Sequence, residues 1–251
     1  MRLDIYLVEN KYVESRNKAK TEIENGNVYI NDKQILKSSF DVNINDKVEL
    51  KDKCPFVSRG GYKLLHAIKE FKLDFNNKVI LDIGASTGGF TDCSLQNGAS
   101  CCISVDVGTN QLHPSLKENK KVISLENTNI KDLKELPKKI DIIVMDVSFV
   151  TIEYLIEDIN RFIDDETLFV CLIKPQFEVG KIHLKNGIVK DKSMYVKILE
   201  NIDLELSKYN LGIKNLSLSP ILGGSGNKEF ISLIKRNYKT NINFKEFVRC
   251  I

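Results

Sequence analysis

The residues best suited to chemistry begin with a glycine-rich run, Leu81-Asp82-Ile83-Gly84-Ala85-Ser86-Thr87-Gly88-Gly89-Phe90. VILDIG at 79–84 reads as a strand and residues 88–97 as a helix, so the run is a strand-to-helix turn. Ligands of open α/β sheets bind outside the carboxyl ends of the strands. Glycine at such a turn lets backbone approach a ligand closely. The spacing is not the GxGxxG of a dinucleotide site. Asp82 stands two residues before the first glycine, and a second acid, Asp106, ends the next strand, CCISVDV. A carboxylate at the second position can accept both hydroxyls of a ribose. An acid ahead of the glycine turn suits a ligand with a cationic amino-acid end rather than phosphates. S-adenosylmethionine has that shape. A glycine turn with no ligand is the competing reading.

Four further charged residues sit at places where the chain changes direction: Asp146 in MDVSF, Lys174 in IKPQFE, Glu229 in GSGNKEF and Lys63 in VSRGGYKL. Asp146 and Lys174 end the fourth and fifth expected strands, so Asp146 points at the same crevice as the glycine run. Transfer to an exocyclic base amine typically uses an Asn/Asp-Pro-Pro-aromatic element, and here the sequence is Asp-Val-Ser-Phe. Cytosine carbon-5 chemistry needs a Pro-Cys nucleophile, and the chain has none. Taken singly, Asp146 and Lys174 also read as solvated strand ends.

The elements that must position them follow from hydropathy. Residues 62–72 form an expected helix. Strands at 79–84, 101–107, 121–125, 140–147 and 167–174 alternate with helices at 88–97, 151–162 and 191–208. Fully apolar strands in such alternation imply a parallel sheet covered on both faces. Segments 213–221 and 229–236 flank a glycine-rich turn, as an antiparallel pair does. Residues 175–190 show little periodicity. Ahead of this unit, residues 1–55 read as a small αβ module. It has a helix from Leu3, and a second capped by Ser15 and ended by Asn25–Gly26. Short strands follow at Val28–Ile30, Ile35 and Val48–Leu50. Residues 56–61 read as a linker and 62–251 as the main domain.

Composition limits the classes. The chain has 251 residues, 42% hydrophobic and 28% charged, which is ordinary globular composition. No apolar run approaches the ~20 residues a membrane span needs, and MRLDIYLVEN lacks a signal-peptide pattern. Cysteines at 54, 93, 101, 102, 171 and 250 form no CxxC pair, and histidines at 66, 113 and 183 are scattered. No metal site and no disulfide framework are expected, but reduced thiols in a cytoplasm. Of Cys101 and Cys102, one is expected in the core and one at the surface. The net charge is +3, and residues 1–55 contribute nothing to it, with ten Lys+Arg against ten Asp+Glu. A nucleic-acid partner would need a local patch. Arg16 and Lys20 fall at i, i+4 on the second helix, with Lys18 beside them. Arg2, Lys11, Arg59 and the lysines at 181, 185, 190 and 192 are further candidates. Glu14, Glu22 and Glu24 dilute the patch, and a solvated helix face is the plainer reading.

VSRGGYKL, LDIGASTGGF, MDVSF, IKPQFE and NKEFISL, in that order, resemble the TlyA-type methyltransferases, once called hemolysin A. Their catalytic part is similar to the FtsJ class of RNA ribose 2′-O-methyltransferases. SRNKAKTEIENGNVYINDK resembles the RNA-binding domain first described in the fourth protein of the small ribosomal subunit. The resemblance covers nearly the whole chain. It implies an α/β, Rossmann-like methyltransferase sheet, mostly parallel with an antiparallel last strand, behind a small RNA-binding domain. It implies a Lys-Asp-Lys-Glu tetrad at Lys63, Asp146, Lys174 and Glu229. Lys174 would be the base, Asp146 and Glu229 would orient it, and Lys63 would steady the developing oxyanion or tune the base. Lysine's reference pKa of about 10.4 makes it a poor base until its surroundings lower it. S-adenosylmethionine would be held by Asp82, Gly84, Ala85, Ser86, Thr87, Gly88, Gly89 and Phe90. Asp106 would bind its ribose, and the adenine would lie near Asn127–Asn129, with Asn129 the residue named. Arg2, Arg16, Lys18, Lys20 and Arg59 would contact RNA.

The resemblance implies methylation of a cytidine ribose in ribosomal RNA. The chain begins only a few residues before Asp4, as in the shorter members of the family, which points to the large subunit. A monomer acting on ribosomal RNA or a subunit, with no membrane partner, is expected. A non-catalytic ribosome-assembly factor is the alternative. Pore-forming cytolysis, suggested by the old family name, has no support from any apolar span.

Overall fold

The computed structural model describes residues 1–24, 26–50, 55–180, 184–223 and 226–251. Asn25, Lys51, Cys54, Lys181, His183 and two residues of the glycine-rich turn, Gly224 and Ser225, entered the sequence reading and lie outside the described residues. The chain divides into two compact units, Met1–Arg59 and Gly60–Ile251.

In the first unit, α1 (Leu3–Glu9) and α2 (Arg16–Glu24) precede β1 (Val28–Ile30), β2 (Lys33–Gln34) and β3 (Val48–Leu50). The strands pair antiparallel in the order β2-β1-β3. Ser15 Oγ accepts from the Lys18 amide at 3.2 Å and so caps α2. Gly26, at φ +73°, takes the left-handed turn that leaves it. Leu3 and Leu7 of α1 and Ala19 and Ile23 of α2, each pair at i, i+4, pack on Val28, Ile30 and Val48. A charge lies within this apolar core. Asp4 is fully buried. Its carboxylate accepts from Arg2 Nε at 3.0 Å and Nη2 at 3.1 Å, and from Arg16 Nη2 at 2.8 Å. The two guanidiniums hold the carboxyl far below the usual carboxylate range.

The second unit opens with α3 (Gly60–Glu70), two residues earlier than its periodicity suggests. Gly60 and Gly61, expected in the linker, form its first turn. First-turn amides have no intrahelical acceptor, so weak helix formers cost little there. Seven strands then build one sheet: β4 (Val79–Ile83), β5 (Cys101–Val105), β6 (Val122–Leu125), β7 (Ile142–Met145), β8 (Leu168–Ile173), β11 (Leu211–Leu218) and β12 (Phe230–Arg236). Their order is β11-β12-β8-β7-β4-β5-β6. β4 to β8 run parallel, and β12 lies antiparallel between β8 and β11. The chain therefore steps outward from β4 through β5 to β6 and returns to β7 on the other side of β4. That reversal is the switch point where such sheets bind ligands.

Helices cover the sheet: α4 (Gly89–Gln96), α5 (Pro114–Lys117), α6 (Ile152–Asn160), α8 (Lys192–Ser207) and α9 (Phe244–Arg249). α6 buries Ile152, Leu155, Ile156 and Ile159, and α8 buries Tyr195, Ile198, Leu199, Ile202 and Leu206. Both sets follow the helical period. Cys101 and Cys102 are both buried, correcting the expectation of one surface thiol. β5 is covered on both faces, so alternate side chains have no wet side. The stretch expected to be irregular holds α7 (Pro175–Glu178) and a hairpin, β9 (Leu184–Lys185) with β10 (Ile188–Val189). Their runs are too short to show a period. His66 bonds Ser217 Oγ at 2.8 Å, and His113 caps α5. Phe247, Val248 and Ile251 pack the C-terminal turn onto the core.

The Asp4 clamp gives a pH-dependent prediction. Its carboxyl sits below its unfolded value, so its stabilisation is present above about pH 4 and disappears as acid protonates it. Asp4→Asn speeds amide hydrogen exchange in α1 and α2 at pH 7. The gap from wild type narrows as pH is taken from 5 to 3.

Candidate active site

Four strand and helix ends deliver one charge each to the same edge of the sheet. β7 and β8 are parallel neighbours, so the residues following them, Asp146 and Lys174, emerge side by side. β12 is antiparallel to β8, with Phe230 opposite Ile173. Its preceding residue, Glu229, therefore begins where Lys174 ends. Lys63 comes from α3, next to the apolar Leu64 and Ala67 that dock the helix. Its stem is buried and its ammonium reaches the strand tips.

The result is a row of alternating charge. Lys174 Nζ lies 2.5 Å from Asp146 Oδ1. Lys63 Nζ lies 3.6 Å from Asp146 Oδ2 and 2.7 Å from Glu229 Oε2. The side chains of Lys63 and Lys174 are each 11% exposed, and that of Glu229 is 3% exposed. Neutral groups stand at both ends. Ser148 Oγ accepts from Lys174 Nζ at 2.8 Å, and Gln176 Nε2 donates to Glu229 Oε1 at 3.2 Å. Gly223 backs Glu229 so closely that a Cβ there would fall 2.3 Å from Oε1. Beside Lys174, Phe149 is 89% exposed and takes φ +65°, a left-handed value uncommon for a bulky residue. Its ring lies 4.8 Å from that of Phe177.

The glycine run lies next to this row. Gly84 has φ +78°, and a Cβ on it would fall 2.8 Å from the Asp146 carbonyl oxygen. Gly88, at φ +96°, packs under Leu112 and Leu116. Asp106 closes the loop from β5, accepting from the Ser86 amide and the Gly108 amide at 2.7 Å each. Ser86 is exposed, Thr87 half-buried, and Ala85, Gly89 and Phe90 buried. Asp82 has no exposed surface. Its Oδ2 accepts from Thr91 Oγ1 at 2.6 Å, and its Oδ1 has no partner among the described residues. Burial pushes this carboxyl up to about 7, against the Thr91 hydrogen bond and with help from the charge of Asp146. Its place is behind the loop, tying β4 to α4. Asn129 is exposed and its Oδ1 caps a single 3₁₀ turn at Ile130–Asp132.

Comparison with known proteins decides the family. The FtsJ-like methyltransferase family model matches residues 56–236, and the S4 domain model matches residues 1–48. Hemolysin A of Brachyspira hyodysenteriae is 38% identical over 92% of this chain and 98% of its own. The 23S rRNA (cytidine-2′-O)-methyltransferase TlyA of Campylobacter jejuni is 34% identical over 94% of this chain and all of its own. The chain belongs to the TlyA family of FtsJ-like methyltransferases. A 16S/23S rRNA (cytidine-2′-O)-methyltransferase TlyA of Mycobacterium tuberculosis is 32% identical over 91% of this chain and 87% of its own. A solved structure of a protein called a hemolysin, from Streptococcus thermophilus, is 34% identical, with a TM-score of 0.78 over 100% of this chain and 94% of that one.

Within the S4 domain the basic residues divide by role. Arg2 and Arg16 are half-exposed but turn their donors to Asp4. Lys18 leans toward Glu22 at 3.9 Å. Lys20 is exposed, and Arg59 is half-buried, its Cδ 2.9 Å from where a Cβ on Gly26 would stand. Of the loop lysines, Lys185 and Lys190 are exposed, and Lys192 donates to the Ile251 carbonyl. Sequence reasoning missed Ser148, Phe149 and Gln176, which lie inside the MDVSF and IKPQFE runs it had already singled out.

The TlyA glycine loop yields two predictions. Gly84→Ala loses about 1–3 kcal/mol of stability from the left-handed backbone alone, read as a lower melting temperature. The fully buried Asp82 and the half-buried Glu178 both have carboxyls raised to about 7 by loss of solvent. Such a group stabilises the fold while protonated, and that contribution is lost as pH rises from about 4 through 7. Asp82→Asn therefore removes part of the fall in stability over that window, measured by denaturant melts from pH 4 to 8.

Proposed function

We propose that this protein transfers a methyl group from S-adenosylmethionine to the 2′-hydroxyl of a cytidine ribose in ribosomal RNA of the large subunit, in the cytoplasm. The observation that carries this reading is the alternating row Lys174–Asp146–Lys63–Glu229 beside the glycine loop. The related TlyA proteins of Campylobacter jejuni and Mycobacterium tuberculosis both carry 23S rRNA (cytidine-2′-O)-methyltransferase in their names. Membrane lysis finds no counterpart: no helix among the described residues is long and apolar enough to cross a membrane.

The residues present fit S-adenosylmethionine. Gly84 lets the loop backbone pack directly against that of Asp146, and Asp106, accepting from the Ser86 amide, places a carboxylate at the loop. Asp82, fully buried behind the loop, would act through Thr91 and not by contact. Gly84 to Gly89 would hold its amino-acid end, and Asp106 its ribose. When bound, it supplies an electrophilic methyl on sulfur.

The chain's own residues then do the rest. Lys174, entering the step as the neutral amine after its own proton has gone to solvent, takes the proton of the 2′-hydroxyl and becomes an ammonium. Asp146 holds that ammonium in place, with Ser148 fixing its rotamer. Lys63 supplies the positive charge that steadies the developing oxyanion, and Glu229 holds Lys63. Much of the acceleration comes from fixing the hydroxyl in line with the methyl. The exposed ring of Phe149, backed by Phe177, offers a stacking face to a nucleobase. Lys20 and Lys18 of the S4 domain offer cations to RNA phosphates.

The test is transfer of labelled methyl from S-adenosylmethionine to isolated ribosomal subunits from cells lacking the enzyme. Wild type labels the large subunit as 2′-O-methylcytidine, and Lys174→Ala is slower by roughly 10²–10⁴-fold. Equal labelling by the variant would leave an RNA-binding assembly factor as the better reading. Lys20→Glu weakens RNA binding several-fold at low salt, and less at high salt, where phosphate contacts are screened.

A further inference from the structure

Outside the four charges stands a half-buried amide, that of Gln176. Gln176 is the second residue of α7, the four-residue helix that starts directly after Lys174. Its Nε2 donates to Glu229 Oε1 at 3.2 Å. Its Oε1 is buried and has no hydrogen-bond partner among the described residues. A buried unpaired acceptor costs about 1–3 kcal/mol. Turning the amide over would not recover that cost, because it would set Oε1 against the Glu229 carboxylate. The amide is thus held in this orientation by Glu229.

The base from which Gln176 reaches is fixed on its other side. Glu178, two residues on, accepts from the Ile152 amide at 3.1 Å. Ile152 opens α6, just beyond Asp146, Ser148 and Phe149. Thr151, at the cap position, makes no side-chain cap of its own. The short helix therefore spans from the Asp146 loop to the Glu229 loop, and carries Lys174 at its head.

We infer that Gln176 is a positioning residue for methyl transfer: by donating to Glu229 it holds that carboxylate aimed at Lys63, and so keeps the cation of Lys63 beside Asp146 and Lys174. The inference rests on the reading that these four charges carry out the reaction. The charged groups facing Glu229 are Lys63 directly, and Asp146 and Lys174 beyond it. Lys63 is the only cation recorded within ion-pair distance of Glu229 among the described residues. Without the amide, Lys63 is the one side chain left against the Glu229 carboxylate among the described residues, and a side chain at position 223 would collide with it.

The experiment compares Gln176→Leu and Gln176→Glu with wild type and Lys174→Ala, in single-turnover methyl transfer to large subunits from pH 6 to 9. Cofactor affinity and melting temperature are measured alongside. Gln176→Leu is expected to slow transfer roughly ten- to hundred-fold, with cofactor affinity within twofold of wild type and the fold intact. Gln176→Glu sets a second carboxylate against Glu229, and can donate only while protonated. Its rate relative to wild type therefore rises as pH falls, a signature that space-filling would not produce. Wild-type rates in Gln176→Leu, or a loss that tracks cofactor affinity and melting temperature, overturn the inference. So does a pH-independent ratio for Gln176→Glu. A wild type that labels no RNA overturns the functional reading and this role with it. Failure of the inference alone is distinct: wild type active, Lys174→Ala inactive and Gln176→Leu unimpaired.

Discussion

Two ammoniums and two carboxylates share a space that is mostly closed to water, and the geometry of the catalytic unit depends on keeping them matched. Moving a charge out of water costs several kcal/mol, recovered only if an opposite charge is close and well aligned. Here each interior member of the row has a partner on either side. Asp146 lies between Lys174 and Lys63, and Lys63 lies between Asp146 and Glu229. The four come from α3, the end of β7, the end of β8 and the start of β12, so the ion pairs also fix these elements to one another. Loss of an interior member, Asp146 or Lys63, leaves an end charge of the row without its partner. The site and its scaffold are thus coupled through electrostatics as well as through the apolar core.

The sheet makes that convergence possible. Parallel strands send all their carboxyl ends to one edge, which is how Asp82, Asp106, Asp146 and Lys174 come to the same side. An antiparallel strand brings its amino end to that edge, and β12, next to β8, brings Glu229. Gly84 then lets β4 and the Asp146 backbone approach to a distance at which any side chain would collide. The loop glycine and Asp146 are in this sense one feature.

How much of this was legible in the sequence follows from the size of each signal. Long apolar strands and periodic helices announce themselves, so β4, β7, β8, α6 and α8 fall where hydropathy places them. α7 and the β9–β10 hairpin do not, because four residues and two are shorter than one readable period. Asp146 and Lys174 were singled out as charges ending strands, Glu229 as opening the last strand and Lys63 as lying ahead of the first, and the family resemblance gave all four their roles. Arg2 and Arg16 were read as facing RNA. Their inward hold on Asp4 shows only in the fold: Arg16 reaches Asp4 across 12 residues, and Arg2, two residues before it, turns inward because Asp4 is buried. Gln176 was hidden for the same reason: its partner is 53 residues away.

The proposed division of labour between the two lysines rests on their places in the row. If Lys63 gave up its proton, Asp146 and Glu229 would face each other across a neutral amine, two carboxylates with one cation between them and only Asp146 retaining it. If Lys174 gives up its proton, Asp146 remains paired with Lys63, Glu229 remains paired with Lys63, and the vacated lone pair is left beside Ser148. The second arrangement keeps every carboxylate next to a cation. It also leaves Lys63 charged where an alkoxide would develop, which is the moment at which a fixed positive charge in a water-poor site is most effective. Interior position thus suits Lys63 to holding charge, and terminal position suits Lys174 to exchanging a proton.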